Sequence, residues 1–140
     1  MDMTSVSLVK ESFGWAVPIS EDAAAIFYAR LFETNPELKP LFKGDLKEQG
    51  RKLMATIAVV VNSLERLNDV LPAVQALAVR HAGYGVRSQD YNAVGSALIW
   101  TLQTGLGQRF TDKHTSAWIE VYTNLADIMR TAAATSSAAE

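Results

Sequence analysis

Apolar positions recur every three or four residues along most of this chain, which is the period of an α-helix with one buried face. In one long segment these positions are Leu53, Ile57, Val60, Val61 and Leu64. In the final segment they are Trp118, Tyr122, Leu125 and Met129. No stretch shows the sustained alternation that is typical of a half-buried strand. The pattern therefore predicts an all-α protein.

Prolines, glycines and capping residues divide the pattern into helices. The predicted helices run from about Thr4 to Val17, Ser20 to Thr34, Asn35 to Phe42, Leu46 to Arg66, Leu71 to Ala82, Ser88 to Leu106, and from Thr111 or Asp112 onward. Pro18 ends the first helix because its ring disfavours a helical continuation. Ser20 and Ser88 are predicted caps, and Gly83 and Gly85 are predicted to stop the helix before them.

Composition narrows the class of protein. A formal net charge of -2 gives no basic surface for nucleic acid or an anionic membrane. The absence of cysteine excludes disulfides and thiolate metal ligands, so a metal must be held by histidine, carboxylate or a cofactor. The N-terminus lacks a signal-peptide pattern, and the longest aliphatic run, IAVVV, is too short to span a bilayer. We expect a cytoplasmic protein with one domain over residues 1–133 and a disordered tail over 134–140.

The chain has two histidines, and they differ in their surroundings. His81 lies on the last turn of a predicted helix, after Val74, Leu77 and Ala78, so helical geometry places an apolar wall beside its imidazole. Such a histidine is either a structural group or a ligand in an apolar pocket. His114 lies at the predicted start of the last helix, where we expect a solvated side chain.

Five segments of the chain resemble the ordered signatures of the globin family. They are IFYARLFETNPELKPLF, RKLM, RHAGYGV, VGSALIWTLQTGLG and FTDKHTSAWIEVYTNLADIM, spread over roughly residues 5–130. Neuroglobin, bacterial single-domain globins and the globin domains of flavohaemoglobins show this likeness. The resemblance implies a globin fold, a three-over-three helical sandwich around haem b.

The resemblance also implies the two faces of the haem site. It assigns His81 as the proximal ligand of the haem iron, with its second ring nitrogen donating to a carbonyl or carboxylate. It places Tyr28, Gln49 and Leu53 in a distal pocket similar to that of flavohaemoglobins. Neuroglobin has a histidine where this chain has Gln49 and a phenylalanine where it has Tyr28. Its two-histidine iron coordination therefore does not carry over.

Further cofactor contacts follow from the same resemblance. They are Phe42, Lys52, Leu53, Leu77, Val86, Tyr91 and Val94. We expect Phe42 to pack on the haem, and Lys52 to reach a haem propionate while its stem covers apolar surface. Tyr91 matches a tyrosine that in flavohaemoglobins joins a glutamate to polarise the proximal histidine. Residues 131–134 contain no glutamate, so peroxidase-like chemistry is less expected, and a core residue is the alternative for Tyr91.

Tyr28 and Gln49, the two polar residues of the implied distal pocket, indicate how gases would bind. Hydrogen bonds from Tyr28 and Gln49 stabilise the negative charge of bound oxygen, so we expect tight O2 binding with slow release, and binding of CO and NO. An O2 store, scavenger or sensor is one alternative, as a monomer or weak homodimer. A nitric oxide dioxygenase is another, with these two residues as the catalytic pair. We expect no reductase domain on this chain, so such an enzyme needs an external reductase. A helical interaction module without haem is the third alternative.

Overall fold

The computed structural model describes residues 2–42, 44–83 and 86–139, and within these ranges the chain forms six α-helices and no β-strand. The helices are α1 (Met3–Ala16), α2 (Ser20–Thr34), α3 (Leu46–Asn62), α4 (Leu67–Gly83), α5 (Asp90–Leu106) and α6 (Asp112–Ala139). Short 3₁₀ segments occur at Val17–Ile19, Pro36–Leu41, Leu64–Arg66 and Gly107–Arg109. The predicted all-α class is confirmed. None of the helices described is long and apolar enough to cross a membrane.

The helices pack against one another in a small set of pairs. Helices α1, α5 and α6 contact one another, while α2 packs on α3 and across α5, and α4 packs on α6. The main core lies between α1, α3, α5 and α6. In it, the Trp118 indole N–H donates to the Ser12 hydroxyl (2.8 Å), which joins α6 to α1 without leaving a buried polar group unpaired.

A smaller apolar cluster, called the second cluster below, lies between α2, the Pro36–Leu41 segment and α5. Its buried members are Phe27, Tyr28, Leu31, Leu38 and Ala97. Partly buried side chains packed against them are Phe32, Leu41, Phe42, Leu53, Ala93, Val94 and Leu98. This cluster concerns the candidate site, because it contains several of the predicted cofactor contacts.

Helix starts differ from the predicted ones in detail. Asp2, rather than Thr4 or Ser5, caps α1, because its carboxylate accepts a hydrogen bond from the Thr4 N–H (3.0 Å). Ser20 is the first helical residue of α2 and makes no capping hydrogen bond. Helix α5 begins at Asp90, two residues after the predicted cap Ser88. A side-chain oxygen that could cap is therefore not enough to fix the exact first residue of a helix.

Two helices are longer than predicted. Helix α4 begins at Leu67, directly after the Leu64–Arg66 segment, and Pro72 lies within it. Helix α6 is helical through Ala139, so its backbone continues into the range 134–139 that was predicted as a disordered tail. Alanine has the highest helix propensity, which favours this continuation. The predicted helix stop at Gly85 and the last tail residue, Glu140, lie outside the described residues.

His114 is buried, with 5% of its surface exposed, and the prediction of a solvated residue is wrong. Its Nδ1 accepts a hydrogen bond from the Thr111 N–H (3.1 Å), so Nε2 carries the proton and donates to Glu11 Oε1 (2.9 Å). Its ring packs against Trp15 and Phe110, with centroids 5.2 and 5.7 Å away. The imidazole thus takes the place of the Glu or Gln in a capping box and ties α6 to α1.

Replacing His114 with alanine is expected to lower the free energy of unfolding by about 2–3 kcal/mol, because the hydrogen bonds and the ring packing are lost together. Urea unfolding measures the change. Glu11→Gln is the control, since its amide oxygen still accepts from His114 Nε2, and its expected cost is below about 1 kcal/mol. An unfolding free energy of His114→Ala equal to that of the wild type would contradict this role.

Gly95 on α5 is the point where the Tyr122 ring of α6 comes closest. A Cβ at Gly95 would lie 2.6 Å from Tyr122 Cε2. Gly95→Ala is therefore expected to force the two helices apart and to lower the free energy of unfolding by about 1–3 kcal/mol. Gly14→Ala is the matched control, because a Cβ at Gly14 meets nothing within 4 Å. Chemical denaturation should show that Gly14→Ala raises the free energy of unfolding by up to about 1 kcal/mol. If Gly14→Ala instead lowers it as much as Gly95→Ala does, the packing argument is wrong.

Candidate functional site

The last turns of α4 orient the His81 imidazole. Its Nδ1 lies 2.8 Å from the Leu77 carbonyl oxygen, one turn earlier. A carbonyl only accepts, so Nδ1 carries a proton, and in the neutral ring the lone pair is then on Nε2. Val74 and Ala78 on the same helix are buried, and His81 itself is half-buried. This is the arrangement that a neutral imidazole needs to bind a metal through Nε2.

The chain that follows α4 is tied back to His81. The Val86 N–H donates to the His81 carbonyl oxygen (3.1 Å). The Arg87 N–H and guanidinium both donate to the buried Asp90 carboxylate, at 2.8 and 3.0 Å. This hydrogen bond raises the pKa of Arg87, and the Glu37 carboxylate adds to the effect. Arg87 thus ties the chain that follows α4 to the first residue of α5.

Tyr28 on α2 is held by aromatic neighbours. Its ring centroid lies 5.2 Å from that of Phe27, 5.9 Å from that of Phe32 and 5.4 Å from that of Phe42. The residue is 6% exposed, and burial raises the pKa of its phenol, so the hydroxyl stays protonated at neutral pH. Within residues 2–42, 44–83 and 86–139, no hydrogen bond engages this hydroxyl. It is therefore available as a donor to a bound molecule.

Gly50 determines how closely α3 approaches Tyr28. A Cβ at Gly50 would lie 2.8 Å from Ala24 Cβ and 3.7 Å from the Tyr28 ring. The glycine thus lets the helix that carries Gln49 and Leu53 pack directly on α2. Gly50 is not among the predicted site residues. Its sequence signal is a glycine inside a helix, which costs about 1 kcal/mol relative to alanine and so points to a close packing contact.

Gln49 and Lys52 lie in the first two turns of α3. Gln49 is half-buried beside the turn at Gly44, with its Nε2 3.9 Å from the position that a Gly44 Cβ would take. The Lys52 side chain is 76% exposed, and its ammonium lies 3.8 Å from the Glu48 carboxylate. Such an i,i+4 pair contributes only about 0.3–0.5 kcal/mol. The ammonium can therefore exchange to another anion.

Tyr91 lies at the start of α5 and faces α6. The guanidinium of Arg130 lies 5.5 Å from its ring centroid, and the Tyr122 hydroxyl donates to its carbonyl oxygen (2.7 Å). Burial raises the pKa of Tyr91, and Arg130 partly opposes the shift. The α6 side chain that contacts the Tyr91 ring is therefore the positively charged Arg130. Arg130 is not among the predicted site residues, although it follows Tyr122 by eight residues and shares its helix face.

The structure brings seven of the predicted residues together in two groups, and Gln49, Lys52 and Tyr91 belong to neither. The second cluster contains Tyr28, Phe42, Leu53 and Val94. The end of α4 and the chain after it contain Leu77, His81 and Val86. In the described ranges, neither a hydrogen bond nor a ring contact joins the two groups. One group lies on helices that pack around α2, and the other on a helix that packs on α6. The two groups differ in chemistry: one offers a ring nitrogen that can bind a metal, and the other offers a protonated phenol that can donate a hydrogen bond.

Comparison with known sequences identifies the family. The globin family model matches residues 25–129. The flavohemoprotein of Bordetella parapertussis is 35% identical over 106 residues, which are 74% of this chain and 26% of the relative. The flavohemoprotein of Oceanobacillus iheyensis is 28% identical over 131 residues, which are 91% of this chain and 32% of the relative. The chain thus spans about a quarter to a third of the length of these curated relatives.

Solved structures agree with the sequence comparison. An engineered carbene transferase from Rhodothermus marinus, RmaNOD, whose name gives nitric oxide dioxygenase as a proposed activity, has a TM-score of 0.88 and 26% identity over 99% of this chain and 97% of its own. A bacterial globin from Campylobacter jejuni has a TM-score of 0.84 and 23% identity over 96% of this chain and 97% of its own. These matches confirm the predicted globin fold, and the relatives imply a haem cofactor and haem-based gas binding. This chain belongs to the globin family.

Proposed function

We propose that this chain holds haem b through His81 Nε2 and binds O2 with high affinity and slow release, with CO and NO as further ligands. Haem supplies a ferrous iron that binds diatomic gases. The observation that carries the proposal is the 2.8 Å hydrogen bond from His81 Nδ1 to the Leu77 carbonyl. It fixes the neutral tautomer and leaves Nε2 as the metal-binding nitrogen.

The opposite face supplies the hydrogen-bond donors. Burial keeps the Tyr28 phenol protonated, and no described residue uses its hydroxyl. The Gln49 amide also donates, and unlike histidine it gains no proton near neutral pH. A hydrogen bond to a partner with negative charge contributes about 1.5–3 kcal/mol. O2 develops more negative charge on binding than CO does, so these donors favour retention of O2.

The remaining contacts hold the cofactor in place. One wall consists of Phe42, Leu53 and Val94, and the other of Leu77 and Val86. Lys52 exchanges its exposed partner Glu48 for a haem propionate. Tyr91 packs behind the proximal wall and is held there from α6.

Haem titration and rapid mixing test the proposal. We expect haem uptake to saturate at an equimolar amount and to give a Soret band, and the oxygenated ferrous protein to lose O2 slowly when mixed with a trap. A fast O2 dissociation rate would contradict the donor role of Tyr28 and Gln49. A protein that gives no Soret band after haem addition would overturn the proposal and favour a helical interaction module.

A second candidate function is nitric oxide dioxygenation. The flavohemoprotein relatives and the name of the Rhodothermus marinus protein favour it. The reaction adds both atoms of O2 to NO, and each nitrate formed requires one electron from a donor. We propose a separate reductase as that donor, with Tyr28 and Gln49 as the catalytic pair. Sustained NO consumption with NADH that requires added cell extract would support this function, and consumption that stops after one equivalent would oppose it.

A further inference from the structure

Arg130 on α6 directs its guanidinium group at the start of α5. Its Nε donates to the Ser88 carbonyl (3.0 Å), and its Nη2 donates to Asn92 Oδ1 (2.8 Å). The same group lies 5.5 Å from the Tyr91 ring centroid and pairs with Asp127, one turn earlier on α6, at 3.4 Å. Only 26% of the side chain is exposed. Arg130 is therefore an anchor between two elements.

The segment that Arg130 holds, residues 86–92, is connected to His81 by the hydrogen bonds already described. At one end, the Val86 N–H donates to the His81 carbonyl (3.1 Å). In the middle, the buried Asp90 carboxylate accepts from the Arg87 N–H (2.8 Å). We call this segment the 86–92 corner. If the 86–92 corner moves relative to α6, it moves the last turn of α4, which carries His81, because the two are joined by the Val86 hydrogen bond.

The chemistry of the contact favours arginine specifically. A planar guanidinium presents donors in fixed directions, so it reaches two acceptors on different residues at once, which an ammonium cannot do with the same geometry. Both acceptors, the Ser88 carbonyl and the Asn92 amide oxygen, are neutral. The contact therefore depends on direction more than on charge.

We propose that Arg130 is a positioning residue for His81: by holding the 86–92 corner on α6, it fixes the last turn of α4 and the direction of the His81 imidazole. This inference rests on the proposed function, in which His81 Nε2 binds the haem iron. The contacts of Arg130 lie outside the main core and the second cluster. Its loss therefore loosens the corner and leaves the core packed.

The test compares Arg130→Gln with Arg109→Gln in the haem-loaded protein. Arg109 is a matched control, because its guanidinium lies 5.2 Å from the Trp15 ring, beyond the opposite end of α5. Its removal deletes the same charge and the same kind of ring contact. The first readout is the iron–histidine stretching band in the resonance Raman spectrum of the ferrous protein. The second is hydrogen exchange of the Val86 amide in the diamagnetic CO form.

Arg130→Gln is expected to shift or broaden the Raman band and to accelerate Val86 exchange about fivefold or more, the factor expected for a lost hydrogen bond. Arg109→Gln should leave the Raman band and the Val86 exchange rate as in the wild type. Arg130→Lys should give values between those of the wild type and Arg130→Gln, because lysine keeps the positive charge but lacks the planar set of guanidinium donors. Arg130→Gln values equal to those of Arg109→Gln would overturn the proposal. So would equal acceleration at a core amide such as Val9, because the effect would then be global.

Failure of the proposed function gives a different result. If His81→Gly retains haem as the wild type does, His81 does not bind the iron, and both proposals are wrong. If the wild-type band is present but Arg130→Gln leaves it unchanged, only the positioning role of Arg130 is lost.

Discussion

Replacing His81 with glycine is expected to abolish stable haem retention, because this side chain supplies the protein's bond to the iron in the proposed function. Loss of an outer-shell partner of a metal ligand already costs about 10–100-fold in metal affinity, so loss of the ligand itself should raise the haem dissociation rate by at least about 100-fold. Transfer of haem to an excess of an acceptor apoprotein measures this rate. Added imidazole should restore part of the retention, since it fills the space that the ring leaves.

His114→Ala is the control for this experiment. It removes the other histidine, which is buried between Trp15 and Phe110 and bonded to Glu11. Its stability should fall, whereas its haem dissociation rate should stay within about twofold of the wild-type rate, because its contacts join α1 to α6. A His81→Gly protein that loses haem no faster than His114→Ala would exclude His81 as the iron ligand.

The two histidines also show what the sequence could and could not predict. The surroundings of His81 follow from local spacing, because Val74, Leu77 and Ala78 share its helix face wherever that helix packs. The Nδ1 bond to the Leu77 carbonyl is a contact within one turn and follows the same rule. The prediction for His114 is wrong because its partner Glu11 is 103 residues away in sequence, and a local sequence pattern does not show such a contact.

The contacts of Arg130 and Gly50 also join residues that are far apart in sequence, so a local sequence pattern does not predict them. The acceptors of Arg130 are 42 and 38 residues away, on a segment whose position depends on how α5 packs against α6. A glycine inside a helix indicates a close packing contact, but the partner of Gly50, Ala24, is known only from the packing of α3 on α2. The distal assignment of Tyr28 came from the family resemblance, and its place among Phe27, Phe32 and Phe42 is a tertiary result.

The structure assigns different packing to the two sides of the candidate site. On the proposed distal side, Tyr28 is fixed by three aromatic rings and by the close approach of α3 at Gly50. On the proposed proximal side, α4 packs on α6, and the hydrogen bonds of Val86 and Arg130 hold residues 86–92. Substitutions on the distal side should therefore act through single polar groups, because the surrounding rings keep their positions.

Tyr28→Phe is accordingly expected to raise the O2 dissociation rate by at least about tenfold. The phenylalanine keeps the ring and its packing, so the change removes only the hydroxyl. A hydrogen bond to a charged partner contributes about 1.5–3 kcal/mol, which corresponds to roughly a tenfold to hundredfold change in a rate. Because burial keeps this phenol protonated, the effect should be the same across neutral pH. Rapid mixing of the oxygenated ferrous protein with a trap measures the rate.

The CO dissociation rate of the same variant separates a lost hydrogen bond from a change in access to the pocket. Bound CO carries less negative charge than bound O2, so its rate should change by less than about threefold if the hydroxyl acts as a donor. Equal increases for both gases would mean that the substitution widened the route to the iron. An O2 dissociation rate within about twofold of the wild-type rate would remove Tyr28 from the site, since even one net hydrogen bond to a charged group exceeds that difference.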